Sequence, residues 1–314
     1  MQQNSNLTIR PDIQDALIEH AFGGGEFIGL KAMPTFGVAA KGGTFAKLAF
    51  SEIQTTAPVG ARAAGANYNR INHQMSSDTY TCEEFGYEEP VDDGEAAVIG
   101  NYFDAEVAAA VAATYYAKLA QEARIAALLF DDTTTFGSYK TNGTDWTTAA
   151  SGTPITDIRA AVIAIKEQLG GMVNGAKLVG LCDDAVLDYA LACTEVSNRL
   201  MYGGQGMITR DAMKLALAAT SGLDEIYSTS IQSGGSAIWT ATKFGIYLVS
   251  EQGPIKAVPQ CARSFLWTQD TPENATVETY RDEPIRSNVV RVRQFVDEKV
   301  LTARAGHIIY GLDA

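Results

Sequence analysis

The amino-acid sequence predicts an α+β fold: an N-terminal arm, an extended two-stranded loop, a lobe built on one long helix and one long returning strand, and an α/β lobe. Three stretches carry that prediction. Residues 34–87 hold two extended runs bearing Thr, Tyr and Phe around a middle of Ala, Gly and Pro. Residues 103–130 form one Ala-rich run with helical spacing. Residues 275–312 give an extended segment, a Pro-marked loop and a long strand that alternates through Val290–Val296.

In chain order, residues 1–30 open with Ile13, Ala16, Leu17 and Ala21 at helical spacing. Gly23, Gly24 and Gly25 then stop that helix, so a docked arm is expected. The first strand of the loop lies between Pro34 and Glu52, with Phe45 and Phe50, and the second between Tyr68 and Tyr87. Between them TTAPVGARAAGA, with Pro58, Gly60 and Gly65, suits a projecting tip whose small side chains cannot hold a core.

The long helix follows from Phe103 to Phe130, roughly 40 Å at the usual rise. Asn101 or Asp104 can cap it; Asp104 and Glu106 stand near its start and Lys118 and Arg124 toward its end, as the helix dipole favours. Val107, Val111, Tyr115 and Leu119 predict its buried stripe, continued by Ile125, Leu128 and Leu129. A second helix is expected from Asp157 to Leu169, capped by Thr156 or Asp157, with Ile158, Val162, Ile165 and Leu169 on one face. AKLVGLC then reads as a buried strand and DDAVLDYALAC as the helix after it. A helix over Arg210–Thr220 and strands at Leu223–Ser230, Ser236–Trp239 and Phe244–Val249 complete the α/β lobe. The last long strand puts Val290, Val292, Gln294 and Val296 on one side and Arg291, Arg293 and Phe295 on the other, and should return beneath the long helix.

Composition narrows the function. The 314 residues are 46% hydrophobic, enough for a sizeable core. The net charge of −13 gives phosphate binding by counterion release no basic surface to work with, so a nucleic-acid reader is not expected. A container that merely encloses nucleic acid remains compatible with it. Cys82, Cys182, Cys193 and Cys261 are scattered without zinc-ligand spacing and read as buried, reduced thiols of a protein assembled in a cytoplasm. The N-terminus has neither a basic n-region nor an uninterrupted apolar run, so no signal peptide or membrane span is expected.

No residue emerges as catalytic, cofactor-binding or metal-binding. His20, His73 and His307 lie in the arm, the loop and the C-terminal strand region, where packing or surface roles are the simpler reading. The pairs Glu83-Glu84, Glu88-Glu89 and Asp92-Asp93 could suggest a carboxylate site, but adjacent strand residues face opposite ways. GGGEF and YGGQGM lack the spacing of a phosphate loop or dinucleotide fingerprint. SGGSAIW reads as a turn between strands, Asp183 as a helix cap beside Cys182, and Trp239 and Trp267 as core or contact residues.

The order of parts, with ARAAGANYNRI followed by SSDTYTCEEFGYEEPVDD and TVETYRDEPIRSNVVRVR followed by AGHIIYGL, resembles the tailed-bacteriophage major capsid proteins. That is the Hong Kong phage type of fold, shared with encapsulin shells, and the layout is similar to the lambda-like coat protein branch. The resemblance implies residues 1–30 as N-terminal arm, 31–95 as extended loop, 96–175 as peripheral domain with the spine helix, 176–270 as axial domain and 271–314 as the peripheral return strand. It implies a structural subunit, not an enzyme, that self-assembles as pentamers and hexamers into an icosahedral capsid enclosing double-stranded DNA. DNA would be held without sequence-specific binding, and the virion would be assembled in the host cytoplasm, away from membranes.

Implied partners are other copies of the chain, a separate scaffolding protein, a portal and a decoration protein. A separate scaffold is expected because only the short arm precedes the loop, unless the sequence is a processed form. No motif marks the Lys–Asn crosslink of some relatives. Two other readings stay open: an encapsulin-like compartment holding a cargo enzyme, and an α/β enzyme domain using Asp183 or Asp184.

Overall fold

The computed structural model describes residues 8–9, 27–48, 61–62, 64–65, 67, 75–94, 96, 105–171, 173, 175–201, 209–250, 259–272 and 274–313. The helical stripe of the arm, the loop tip at 49–60, the caps Asn101 and Asp104, His20, His73 and the glycines of YGGQGM lie outside the described residues.

A two-residue strand, β1 (Thr8–Ile9), is followed by a short helix, α1 (Gly29–Ala32), and β2 (Thr35–Val38). β3 (Gly42–Leu48) and β4 (Met75–Thr81) then pair antiparallel from Gly42↔Thr81 to Leu48↔Met75, giving the expected two-stranded ribbon. Its second strand does not run on to Tyr87. Cys82 is fully buried, its N–H donates to Lys41 O at 2.8 Å, and its thiol points at Phe265 O, so the chain turns a corner there. β5 (Glu83–Asp92) consequently leaves the ribbon and joins the body sheet.

The long helix, α2, spans Ala105–Leu129. Its buried face differs from the expected one. Ala109, Ala110, Ala113 and Ala117 point inward, whereas Val111 and Tyr115 are 37% and 42% exposed. The reason is distance. A helix lying on a sheet makes the densest contact through small side chains, and these alanines meet Val91, Val277, Val290 and Val292 in one cluster. The remainder of the predicted stripe holds at the C-terminal end, where Ile125 and Leu129 are fully buried.

After β6 (Lys140–Asn142), helix α3 spans Pro154–Gln168 and starts earlier than predicted. Thr153 is its N-cap residue and Pro154 stands at the first turn, where a missing N–H costs nothing. Asp157 is therefore inside the helix, and its carboxylate accepts from Thr144 N (3.0 Å), Thr144 Oγ1 (2.7 Å) and Trp146 Nε1 (2.9 Å). Ile158, Val162, Ile165 and Leu169 are buried as expected.

The α/β lobe continues with β7 (Lys177–Asp183), α4 (Asp184–Ala192), α5 (Thr194–Met201), α6 (Arg210–Ser221) and β8 (Glu225–Thr229). A hairpin of β9 (Gln232–Ser233) and β10 (Ser236–Ala237) turns on Gly234 and Gly235, both at positive φ (59° and 80°), as a tight two-residue turn requires. β11 (Lys243–Val249), β12 (Ala262–Trp267), β13 (Thr276–Asp282), β14 (Ser287–Val300) and β15 (Gly306–Tyr310) complete the described strands.

Two sheets result. The larger has six strands in the order β1-β13-β14-β12-β2, with β5 also on β14. Because Val296 pairs with both Leu266 and Glu83, β12 and β5 flank opposite edges of β14. β14 is thus the shared rail of the sheet beneath α2, with Val290, Val292, Gln294 and Val296 buried. The second sheet has the order β6-β15-β11-β7-β8. The principal core packs against this sheet and includes Trp146, Trp239, Phe244 and Tyr247.

Candidate functional surfaces

Polar chemistry is dispersed rather than gathered. His307 is buried, its Nε2 lies 3.1 Å from Thr141 Oγ1, and burial pushes its imidazole below the usual range. Asp183 accepts from Ala185 N at 2.8 Å as the cap of α4, and Asp184 pairs with Arg210 at 3.3 Å. Both carboxylates named in the enzyme reading therefore have structural partners. All four cysteines are free and buried, and burial raises Cys82 and Cys193 to about 11 and Cys182 and Cys261 further still. Among the described residues no group of three or more His, Cys, Asp or Glu is placed to hold a metal ion. No described helix is long and apolar enough to cross a membrane.

Two of the paired acids, Glu88 of β5 and Asp93 just beyond it, have in-chain partners. Glu88 accepts from Arg291 Nε (2.5 Å) and Tyr280 OH (3.2 Å). Asp93 takes a bidentate Arg281 at 2.6 and 2.7 Å, which holds its carboxyl below the ordinary value. Next to Arg291 on the same strand, Arg293 bridges Glu278 (2.6 Å) and Asp270. These contacts fix β5 and β13 to β14. Glu278, 2% exposed, is buried against its Arg293 partner, whereas the Arg281–Asp93 and Arg291–Glu88 pairs lie nearer solvent and set register more than stability.

Aromatic packing anchors the ribbon β3–β4 at its root. Tyr80 stacks on Phe265 at 4.8 Å and 13°, Phe45 lies 5.5 Å from the same ring, and Trp267 meets Phe295 edge-on at 5.2 Å. Thr81 N donates to Asp297 at 2.8 Å, and Lys299 donates to Thr79 O. Val38, Cys82, Phe265 and Phe295 form this small separate cluster at the end of β14. An aromatic hinge plate thus carries a ribbon whose Thr- and Ser-rich outer strand is exposed at Ser76, Ser77 and Thr79.

The outward side of α2 has two different halves. Toward its C-terminus Glu122, 2% exposed, accepts from Ile28 N (2.9 Å), Gly29 N (2.9 Å) and Trp239 Nε1 (2.8 Å). Burial raises this carboxyl above its ordinary value, while those donors draw it back. Gly29 is required there: a Cβ would stand 2.8 Å from Glu122 Oε2 and 2.8 Å from Ile125 Cγ2. One carboxylate thus joins the spine helix, the segment after the arm and the α/β lobe. The sequence held no motif for it, because its partners lie 93, 94 and 117 residues away.

Toward the N-terminus the outward side is open and apolar. Val111, Tyr115 and Tyr116 of α2 are 37%, 42% and 53% exposed, and Tyr87 of β5 is 44% exposed. Their rings form a run: Phe27–Tyr115 at 5.8 Å, Tyr115–Tyr116 at 6.0 Å and Tyr116–Tyr87 at 6.2 Å. Contiguous apolar surface of this sort marks contact sites.

No protein-family model matches the chain, and no curated protein does. Solved structures do. A phage-related protein from Bordetella bronchiseptica RB50 is 21% identical over 98% of each chain, with a TM-score of 0.69. A virus-like particle from Pyrococcus furiosus is 11% identical over 95% of this chain and 98% of that one, at a TM-score of 0.55. The capsid of Cyanophage P-SCSP1u is 10% identical over 89% and 86%, at 0.53. The likeness covers nearly the whole chain, and the fold of this chain is that of the tailed-phage major capsid proteins.

Proposed function

We propose that the chain is the subunit of a phage head: it assembles as pentamers and hexamers into an icosahedral capsid that encloses double-stranded DNA. The observation that carries this is the ribbon β3–β4, held by its aromatic root and projecting from a body whose fold recurs, nearly end to end, in phage-related and capsid structures. A ribbon laid on a neighbouring copy adds buried area and strand pairing that one chain lacks, the ordinary basis of closed homo-oligomers. The acidic balance of −13 suits an enclosing wall, which gains nothing from gripping the polymer inside. Scaffolding, portal and decoration proteins belong to this reading as partners, assembly takes place in the host cytoplasm, and the residue ranges implied for arm, loop, peripheral and axial domains follow with it.

An encapsulin-like compartment is less supported, since capsid structures recur among the solved relatives. An α/β enzyme is less supported still, because Asp183 and Asp184 already serve as cap and ion-pair partner. Negative-stain microscopy of the purified chain, alone and co-expressed with its neighbouring genes, tests the proposal. Closed shells are expected in at least one condition; monomers in both would overturn it.

A further inference from the structure

The outer edge of the ribbon is closed at its root by two charged side chains. Among the described residues β4 pairs with β3 alone. Cys82 N donates to Lys41 O at 2.8 Å, which continues the ladder one step past Gly42↔Thr81. Alternate residues of a strand turn their N–H and C=O to opposite edges, so Tyr80 and Cys82 face β3 while Thr79 and Thr81 face away from it. Thr79 O and Thr81 N are then the two groups that a strand laid opposite Tyr80 must use, whichever way it runs.

Both groups are already taken. Thr81 N donates to Asp297 Oδ2 at 2.8 Å, and Lys299 Nζ donates to Thr79 O and lies 4.0 Å from Asp78 Oδ1. Asp297 and Lys299 stand two residues apart on β14 and so share one face of it. Their carboxylate and ammonium supply the acceptor and the donor that the backbone of an added strand would bring.

A comparison of edges shows why a guard stands here. Among the described residues β5 pairs with β14 alone, and it carries Glu83, Glu84, Glu88, Glu89 and Asp92, which repel a second strand of the same charge. β4 has Asp78 as its one charged residue, amid Thr and Tyr that favour strands. Unguarded, such an edge is a template for pairing. Its match is the same edge of a second copy, since two β4 strands meeting antiparallel about Tyr80 each offer the groups that the other lacks. We propose that Asp297 and Lys299 form a latch on Thr81 N and Thr79 O that keeps the ribbon root from pairing, strand to strand, with β4 of a second copy. The contact within the chain and the contact between copies use the same two backbone groups and exclude each other. This goes beyond the shell-building reading and does not depend on it, because the latch belongs to the single chain before assembly.

Hydrogen exchange and sedimentation of the full-length, dilute protein test it. Asp297→Ala removes the acceptor of Thr81 N, and Lys299→Met removes the ammonium while keeping the length of the side chain. In Asp297→Ala the Thr81 amide is expected to exchange about fivefold faster or more, as the loss of one hydrogen bond implies. Unchanged exchange would overturn the latch. The double variant is expected to self-associate about tenfold more tightly than the unaltered chain, and adding Thr81→Pro should remove that gain, because proline brings no N–H to the edge. Lys299→Met alone, at a side chain 31% exposed, carries the association test if the Asp297 variant does not fold. Equal association of latched and unlatched chains would overturn the proposal. So would a gain that survives Thr81→Pro, which would assign the contact to another surface.

Discussion

The two halves of α2 differ in what their large side chains do. In the C-terminal half Ile125 and Leu129 are fully buried, and Glu122 is enclosed by Ile28, Gly29 and Trp239. In the N-terminal half the alanines are buried and Val111, Tyr115 and Tyr116 face outward. One helix thus serves as a core element at one end and as a surface strut at the other. The contrast arises from its neighbours: the C-terminal half joins the core of the α/β lobe with Ile28 and Ala32, whereas the buried alanines of the N-terminal half pack on the six-stranded sheet.

The strongest way to break the enclosed half is Glu122→Ala. It leaves the N–H groups of Ile28, Gly29 and Trp239 buried without their acceptor, and unsatisfied donors of this kind cost about 3 kcal/mol together. Urea unfolding of the isolated subunit should show that loss. A change below about 1 kcal/mol would mean that water or another acceptor takes over, and the three-part junction would lose its explanation.

Ala113→Leu attacks the other half. Ala113 is 2% exposed against the valines of β13 and β14, so added methylenes must push the helix off the sheet, at about 1–3 kcal/mol. The same length added at Ala108, which is exposed, should change stability by less than about 0.5 kcal/mol. Equal effects at the two positions would show that the alanine face is not the packed one.

A pH series sharpens the comparison further. Burial raises the Glu122 carboxyl in the folded chain, so the folded state holds that proton more tightly than the unfolded state does. Its contribution to stability is therefore complete below the unfolded value of 4.5 and is lost as pH rises through the folded value. Glu122→Gln, which cannot ionise, should remove that slope, which for one group is at most about 1.4 kcal/mol per pH unit. Parallel stability curves for the two proteins would assign the pH dependence elsewhere.

Much of this architecture was legible from local pattern. The spine, the strand-helix order of the α/β lobe, the Asp183 cap and the Gly234-Gly235 turn depend on neighbours a few residues apart, and so does the extended pattern of each ribbon strand, though not their pairing. What was not legible depends on distant partners. The inward face of α2 was misassigned because hydrophobicity alone ranks Val111 and Tyr115 above Ala109 and Ala113, while close approach to a sheet ranks them the other way. The corner at Cys82 is set by Phe265, 183 residues away, and the start of α3 by Glu195, whose carboxylate takes Ile155 N at 2.8 Å. Glu88 of β5 and Asp93 just beyond it pair with Arg291 and Arg281, 203 and 188 residues away, which no local pattern in the sequence marks.

The smallest effect bears on whether the open half is open. Val111→Ser and Tyr116→Ser change side chains that are 37% and 53% exposed, so each should alter the stability of the dilute subunit by less than about 0.5 kcal/mol. Urea unfolding at a concentration too low for association checks this. A loss of more than about 1 kcal/mol would mean that the face is covered within the subunit, and the two halves of α2 would then be alike. A loss that appears only as the protein is concentrated would assign the face to contact between copies.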